Sequence, residues 1–282
     1  MTSQQTLEKP DLGAAKPGKS GTERPLRTGE PNVVAVWLVR ILILVALIGG
    51  WSYLGGSSDH WQRVLSTPLD VVEQLKVWLT DSSFYTHHVW ATFLEASLGY
   101  VIGVSFAILL VALVASSRVV ERLMMPFITV LAVLPKLALI PLFITLFGIT
   151  LESKVYFVAS SIFIIVFHSV HTGLRTTDRL MIENLSVLGA STWNKIRHLY
   201  LPSVLSWLVS SLRFSVAFAL LAAVISEYLG AMEGLGYLIS QGEAYFRTQE
   251  VLAGIFVVAV IALIFDRLLM WTQRRLSRWQ VA

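Results

Sequence analysis

Three sets of residues in this 282-residue chain are of kinds that carry chemistry. Gly13-Ala14-Ala15-Lys16-Pro17-Gly18-Lys19-Ser20 has the spacing of a phosphate loop, whose backbone amides and lysine would cradle a nucleotide. His168 and His171 stand three apart, which on a helix puts two metal-ligating rings on one face. Lys136 and Arg213 lie deep inside apolar stretches, with Glu95 and Glu227 nearer the ends of theirs, and ionisable groups so placed mark a transport pathway or a structural pair.

The elements that would have to position these groups decide among the readings. A phosphate loop works as a turn between a buried strand and a helix. Here the upstream residues Gln4 to Asp11 are polar, and Gly21 and Pro25 prevent the helix, so the match is read as coincidence and any ATP must bind to another chain. The histidine pair has no cysteine or third histidine near it, so it is read as structural. The absence of cysteine also excludes a disulfide scaffold and a thiol nucleophile. No nucleophile, base and metal set converges, which ranks a membrane-embedded enzyme third among the functional classes.

Composition supplies the frame. Hydrophobic residues make up 55% of the chain, charged residues 14%, and the mean hydropathy is +0.68, against about 25% charged in an ordinary globular domain. Apolar runs of membrane-crossing length predict six spans, at 33–54, 89–115, 126–148, 155–173, 204–228 and 251–271, in an all-α membrane protein. Fifteen of the 22 Lys and Arg residues then fall in the segments on one side, placing both termini in the cytoplasm. That asymmetry accounts for the net charge of +4 and pI near 9.4 without a nucleic-acid partner. Residues 1–32, with four of the nine prolines, read as a disordered cytoplasmic tail rather than a cleaved signal peptide. In the extracytoplasmic segment 55–88, Thr67, Pro68 and Asp70 signal a helix start. Leu69, Val72, Leu75, Trp78 and Leu79 then give the helix an apolar face that would lie on the membrane. Residues 89–275 form a five-helix core, followed by a short cytoplasmic tail over 276–282.

The longest cytoplasmic loop, 174–203, reads as helix, turn, helix. Ser186, Gly189 and Ala190 are small, and Lys195, Ile196 and Leu199 recur at helical spacing up to Leu201-Pro202. On these residues alone the loop is either a solvated connector or a surface that another backbone approaches closely. Glu183, Gly189, Leu199, Leu201 and Pro202 resemble the loop signature of permease subunits of bacterial ATP-binding-cassette importers. That signature is Glu-Ala-Ala, three residues, Gly, nine residues, Ile, one residue, Leu-Pro. Asn184 and Leu185 replace the alanines and Leu199 the isoleucine, with the spacing intact. Leu134-Pro135-Lys136-Leu137-Ala138-Leu139-Ile140-Pro141-Leu142-Phe143, Phe147-Gly148, Thr172-Gly173-Leu174-Arg175 and Gly234-Leu235-Gly236-Tyr237-Leu238-Ile239 are similar to the nitrate, sulfonate and taurine group of that family. The resemblance covers about residues 60 to 275.

The resemblance implies the type I importer permease architecture in the bacterial inner membrane. Two six-span permeases, here identical copies, would form the path for a small anionic solute delivered by an extracytoplasmic binding protein. Two cytoplasmic ATPases would hold the ATP and Mg2+, and this chain would bind no cofactor itself. The ATPases would meet Glu183, Gly189, Ala190, Ser191, Leu199, Leu201 and Pro202. Along the path, Lys136 and Arg213 are candidates to meet the anion or to pair and snorkel, and Ser215, Phe218, Ala222 and Ser226 are candidates for a gate. A neutral or heterocyclic nutrient, such as a pyrimidine vitamin precursor, is the near alternative. An ion-driven secondary transporter is the alternative from a different class. Pro126, Pro135 and Pro141 predict kinks in the third span, and Gly99 and Gly103 a close helix contact.

Overall fold

The computed structural model describes residues 33–176, 180, 181, 184 and 187–276. The phosphate-loop pattern, the two predicted tails apart from residue 276, Glu183 and Leu185 lie outside the described residues. Two units are distinguished, Met1–Leu47 and Ile48–Ala282. In the first, residues 33–47 are helical; they begin α1 (Val33–Gly56), which carries apolar side chains on every side. The second unit contains the rest of the helices. These are α2 (Asp59–Leu65), α3 (Pro68–Thr80), α4 (Trp90–Ser116), α5 (Arg118–Val133), α6 (Lys136–Phe147), α7 (Leu151–Arg175), α8 (Thr192–Lys195), α9 (Leu201–Gly230), α10 (Leu235–Ala244) and α11 (Thr248–Leu276). Wider π-helical turns at Phe84–Val89 and Ile196–Tyr200 lead into α4 and α9. Among the described residues there is no strand.

Five stretches are each long and apolar enough to cross a membrane: Val33–Gly56, Phe84–Ser116, Leu151–Arg175, Arg197–Gly230 and Thr248–Leu268. The predicted third span is instead two helices, α5 and α6, bent by 99°. The break has a local cause. Leu134 precedes Pro135 and is driven to extended backbone, φ −58° and ψ 133°, because the proline ring clashes with a helical predecessor. Pro126 and Pro141 remain inside α5 and α6, so of the three prolines only Pro135 interrupts a helix.

α3 starts as its sequence predicts. The Thr67 hydroxyl accepts from the Asp70 N–H at 3.3 Å, and the Asp70 carboxylate accepts from the Thr67 N–H at 2.9 Å. The Thr67 N–H, helped by the Thr67 and Ser66 hydroxyls, holds the Asp70 carboxyl below its usual range.

α7 is the buried centre of the bundle, with Phe157, Val158, Ile162, Val166, Phe167 and Val170 all enclosed. α4 runs along it in the same direction. A Cβ at Gly99 would lie 2.5 Å from the Val158 side chain, and one at Gly103 would lie 2.6 Å from the Ala159 carbonyl oxygen, so only glycine allows this approach. α9 runs antiparallel on another side of α7 through Ala219, Leu220, Ala222 and Ala223.

Lys154, which a simple reading of spans leaves in a loop, is buried in α7. Its Nζ donates to Glu95 Oε1 of α4 at 2.6 Å. Beside this pair, Glu227 of α9 accepts from the Thr92 hydroxyl at 2.6 Å and from the Gly236 N–H at 2.8 Å. Thr92 Oγ1 accepts from the Leu235 N–H at 2.9 Å, and His88 Nδ1 from the Gly234 N–H at 3.2 Å. The first N–H groups of α10, which no helix can satisfy internally, are thus met by side chains of α9 and of the α4 segment. A side chain at Gly236 would strike the Val224 carbonyl, and one at Gly234 the Glu227 carboxylate.

The packing makes a measurable prediction. Gly103→Ala should destabilise the detergent-solubilised chain by about 1–3 kcal/mol through overpacking, read as a lower Tm. Gly50→Ala, with nothing among the described residues within 4 Å of its added carbon, should be neutral or stabilising. A Gly103→Ala chain that melts at or above the parent would show that the close approach is not required.

Candidate functional site

The start of α6, directly after its corner with α5, lines a cavity of about 270 Å³ together with α7 and α9. Phe157 and Ser161 of α7, with Phe214, Phe218 and Ala222 of α9, form much of its wall. Phe214 and Phe218 pack with ring centroids 4.7 Å apart. Lys136, the first residue of α6, is the one ionisable residue in the lining. Among the described residues it has no ion-pair partner. A cation on an apolar wall, close to the broken point of a span, can offset the desolvation of an anion that enters.

Lys136, Phe218 and Ala222 are therefore brought together by the fold, and Phe157, Ser161 and Phe214 join them. Those three carry no sequence signal of their own, because aromatic and small residues on apolar helices are ordinary core. The remaining pathway candidates lie elsewhere. Arg213 is exposed outside the cavity lining; its Nη2 donates to Met270 Sδ at 3.3 Å and its Nε is 3.9 Å from Asp266 Oδ1. Ser215 and Ser226 are buried, and their hydroxyls donate within their own helix to the carbonyls of Leu212 and Ala223, at 3.2 and 2.8 Å. His168 and His171 lie on α7, where His171 Nε2 is 3.1 Å from Glu121 Oε1. Among the described residues no group of three metal-ligating side chains assembles.

The second candidate region is the connection from α7 to α9. Its stems are held together where a Cβ at Gly173 would lie 2.6 Å from the Trp207 ring, so these backbones pack as one unit. Between the stems the chain exposes apolar surface: Val187 is 88% exposed, Leu188 80% and Trp193 67%. Exposed apolar groups so closely spaced in an otherwise polar loop suit contact with another protein. Gly189 turns the chain at φ +70°, a conformation that favours glycine, and among the described residues nothing lies within 4 Å of where its Cβ would be. Ala190 and Ser191 follow directly, and the Ser191 hydroxyl accepts from the Asn194 N–H at 3.3 Å. Leu199 is buried, whereas Leu201 is exposed, and Pro202 stands in the first turn of α9, where its missing N–H is tolerated.

The chain is similar to proteins already known. A permease protein named for aliphatic sulfonates transport, SsuC of Bacillus subtilis (strain 168), is 28% identical over 244 residues, covering 86% of this chain and 88% of that protein. The formylaminopyrimidine transport permease protein ThiX of Halalkalibacterium halodurans is 29% identical over 242 residues, 86% of this chain and 92% of its own length. A chain of a crystal structure titled as an amino acid ABC transporter with histidines superposes with a TM-score of 0.59 at 18% identity, over 73% of this chain and 97% of that one. That likeness shows the fold. The family described as binding-protein-dependent transport system inner membrane component matches residues 90–278, from the start of α4 through α11, and the chain belongs to that family.

Proposed function

We propose that this chain is the permease through which a small anionic solute of the sulfonate, taurine or nitrate class enters the cell. The observation that carries the solute class is Lys136, unpaired among the described residues, on the wall of an otherwise apolar cavity. An alkyl or aminoalkyl anion matches both parts of that site, and the similarity to SsuC supports the same class. The similarity to ThiX supports a second reading, in which Phe157, Phe214 and Phe218 would stack a pyrimidine.

In this reading two copies of the chain form the path in the bacterial cytoplasmic membrane, with both termini cytoplasmic. An extracytoplasmic binding protein delivers the solute. The connection containing Glu183, Gly189, Ala190, Ser191, Leu199, Leu201 and Pro202 seats on two ATPase subunits, which hold the ATP and Mg2+, while this chain holds no cofactor. The exposed Val187, Leu188 and Trp193 supply apolar contact, and the Gly173–Trp207 packing passes motion of the loop into α7 and α9 as a rigid-body shift.

Two measurements test this function. In cells carrying the complete importer, Lys136→Met should lower taurine or alkanesulfonate uptake by about tenfold or more, the value of one charge-assisted hydrogen bond. Formylaminopyrimidine uptake, measured in parallel, should be absent from the parent. Unchanged sulfonate uptake at normal protein level would remove Lys136 from recognition, and pyrimidine uptake by the parent would favour the second reading. Gly189→Asn tolerates a left-handed backbone but adds bulk. It should leave the membrane level of the chain unchanged and reduce uptake per ATP hydrolysed. Normal coupling in that variant would overturn the assignment of the loop.

A further inference from the structure

Where α4 and α7 end, on the side of the bundle that carries the α7–α9 connection, the start of α5 closes a cavity of about 310 Å³. It is lined by Arg118, Glu121, Arg122, Met125 and Arg175. Glu121 is the only carboxylate in that lining and is already engaged. Its Oε1 accepts from Arg175 Nε at 3.0 Å and Nη2 at 2.7 Å, and lies 3.1 Å from His171 Nε2. Arg118 and Arg122 have no carboxylate partner among the described residues. They are four apart on α5, so two like charges stand side by side on one face, an arrangement that weakens a helix unless an anion sits between them.

Two features of the surroundings select the anion. Guanidinium groups present forked donors that match phosphate oxygens. The cavity also sits where the apolar runs of α4 and α7 stop, at Ser116 and Arg175, which in a bilayer is the level of the headgroups. From there α5 exposes Val119, Leu123, Phe127 and Val130 along its length, a strip suited to acyl chains. A free phosphate would use the arginines and leave that strip idle, whereas a phospholipid would use both.

We propose that Arg118, Arg122 and Arg175 form a binding site for the phosphodiester headgroup of an anionic phospholipid, whose acyl chains run along the exposed apolar strip of α5. The site is separate from the Lys136 cavity and does not depend on which solute is carried. It would hold the start of α5 against the end of α7, beside the stem of the exposed loop.

The test is native mass spectrometry of the full-length chain, taken from mild detergent containing equal phosphatidylglycerol and phosphatidylcholine. The parent should retain phosphatidylglycerol selectively. R118Q/R122Q should lower that retention roughly 30-fold, the ratio that two arginines at an anionic surface supply. R63Q/R247Q, which removes the same charge elsewhere, should retain the lipid as the parent does. Undiminished retention by R118Q/R122Q overturns the proposal. Displacement of the lipid by millimolar inorganic phosphate also overturns it, in favour of a soluble phosphate ligand. If R118Q/R122Q fails to fold, R118K/R122K is read in its place: it keeps the charge and loses the fork, so weakened selectivity supports the site and parental selectivity refutes it.

Discussion

The buried contact between Lys154 and Glu95 fixes one end of the seam along which α4 and α7, the most closely packed helices of this bundle, meet. Helices in lipid gain little from apolar burial against one another, so close packing and polar contacts must select their partners. Here the glycines of α4 bring two backbones together, and at one end of that seam a buried lysine meets a buried carboxylate at 2.6 Å. Each charge would be expensive to enclose without the other. Glu227 stands beside the pair and takes up the amide that opens α10, so α4, α7, α9 and α10 meet in one polar cluster. The rest of the bundle can then be lined with apolar and small side chains, and the cavity at Lys136 is free to carry a different task.

Much of this was legible beforehand, for physical reasons that differ from element to element. Spans announce themselves because crossing hydrocarbon demands a long apolar run. The start of α3 was visible because Thr67, Pro68 and Asp70 act on one another within four residues. The glycine contact of α4 was visible as a spacing, but its partner was not, because Val158 and Ala159 look like any other residues of an apolar helix. The pairing of Lys154 with Glu95 was hidden by a sequence separation of 59 residues. α10 was missed as an element because, at 10 residues, it neither crosses a membrane nor carries a clear apolar face. Pro135 could be flagged as a kink, but whether a proline bends a helix or ends it depends on what receives the freed backbone. Of the candidate site, Lys136 stood out because a charge in an apolar stretch is conspicuous, while the phenylalanines that share its cavity did not.

Family membership and cavity speak to different levels of the same machine. As a member of this family the chain is a transport component, with ATP hydrolysis in a separate subunit. Its relatives carry names for chemically unlike cargoes, a sulfonate and a pyrimidine, on similar sequences. The polar cluster at Lys154 and the cavity at Lys136 both draw on α7 and α9 without sharing a charged residue.

The corner at Leu134 and Pro135 bears on how the chain enters a membrane at all. At 1.5 Å per residue, α5 with 16 residues and α6 with 12 reach about 24 and 18 Å, each short of the roughly 30 Å of hydrocarbon. Neither half is long enough to cross on its own, and the proline prevents the two from fusing into one straight helix. The exposed peptide groups of the corner need protein around them before they can leave water. Lys136 lines its cavity alongside α7 and α9, both of which emerge later from the ribosome. The surroundings of this corner are thus completed by helices that follow it in the chain, so its packed environment exists only once α7 and α9 are in place.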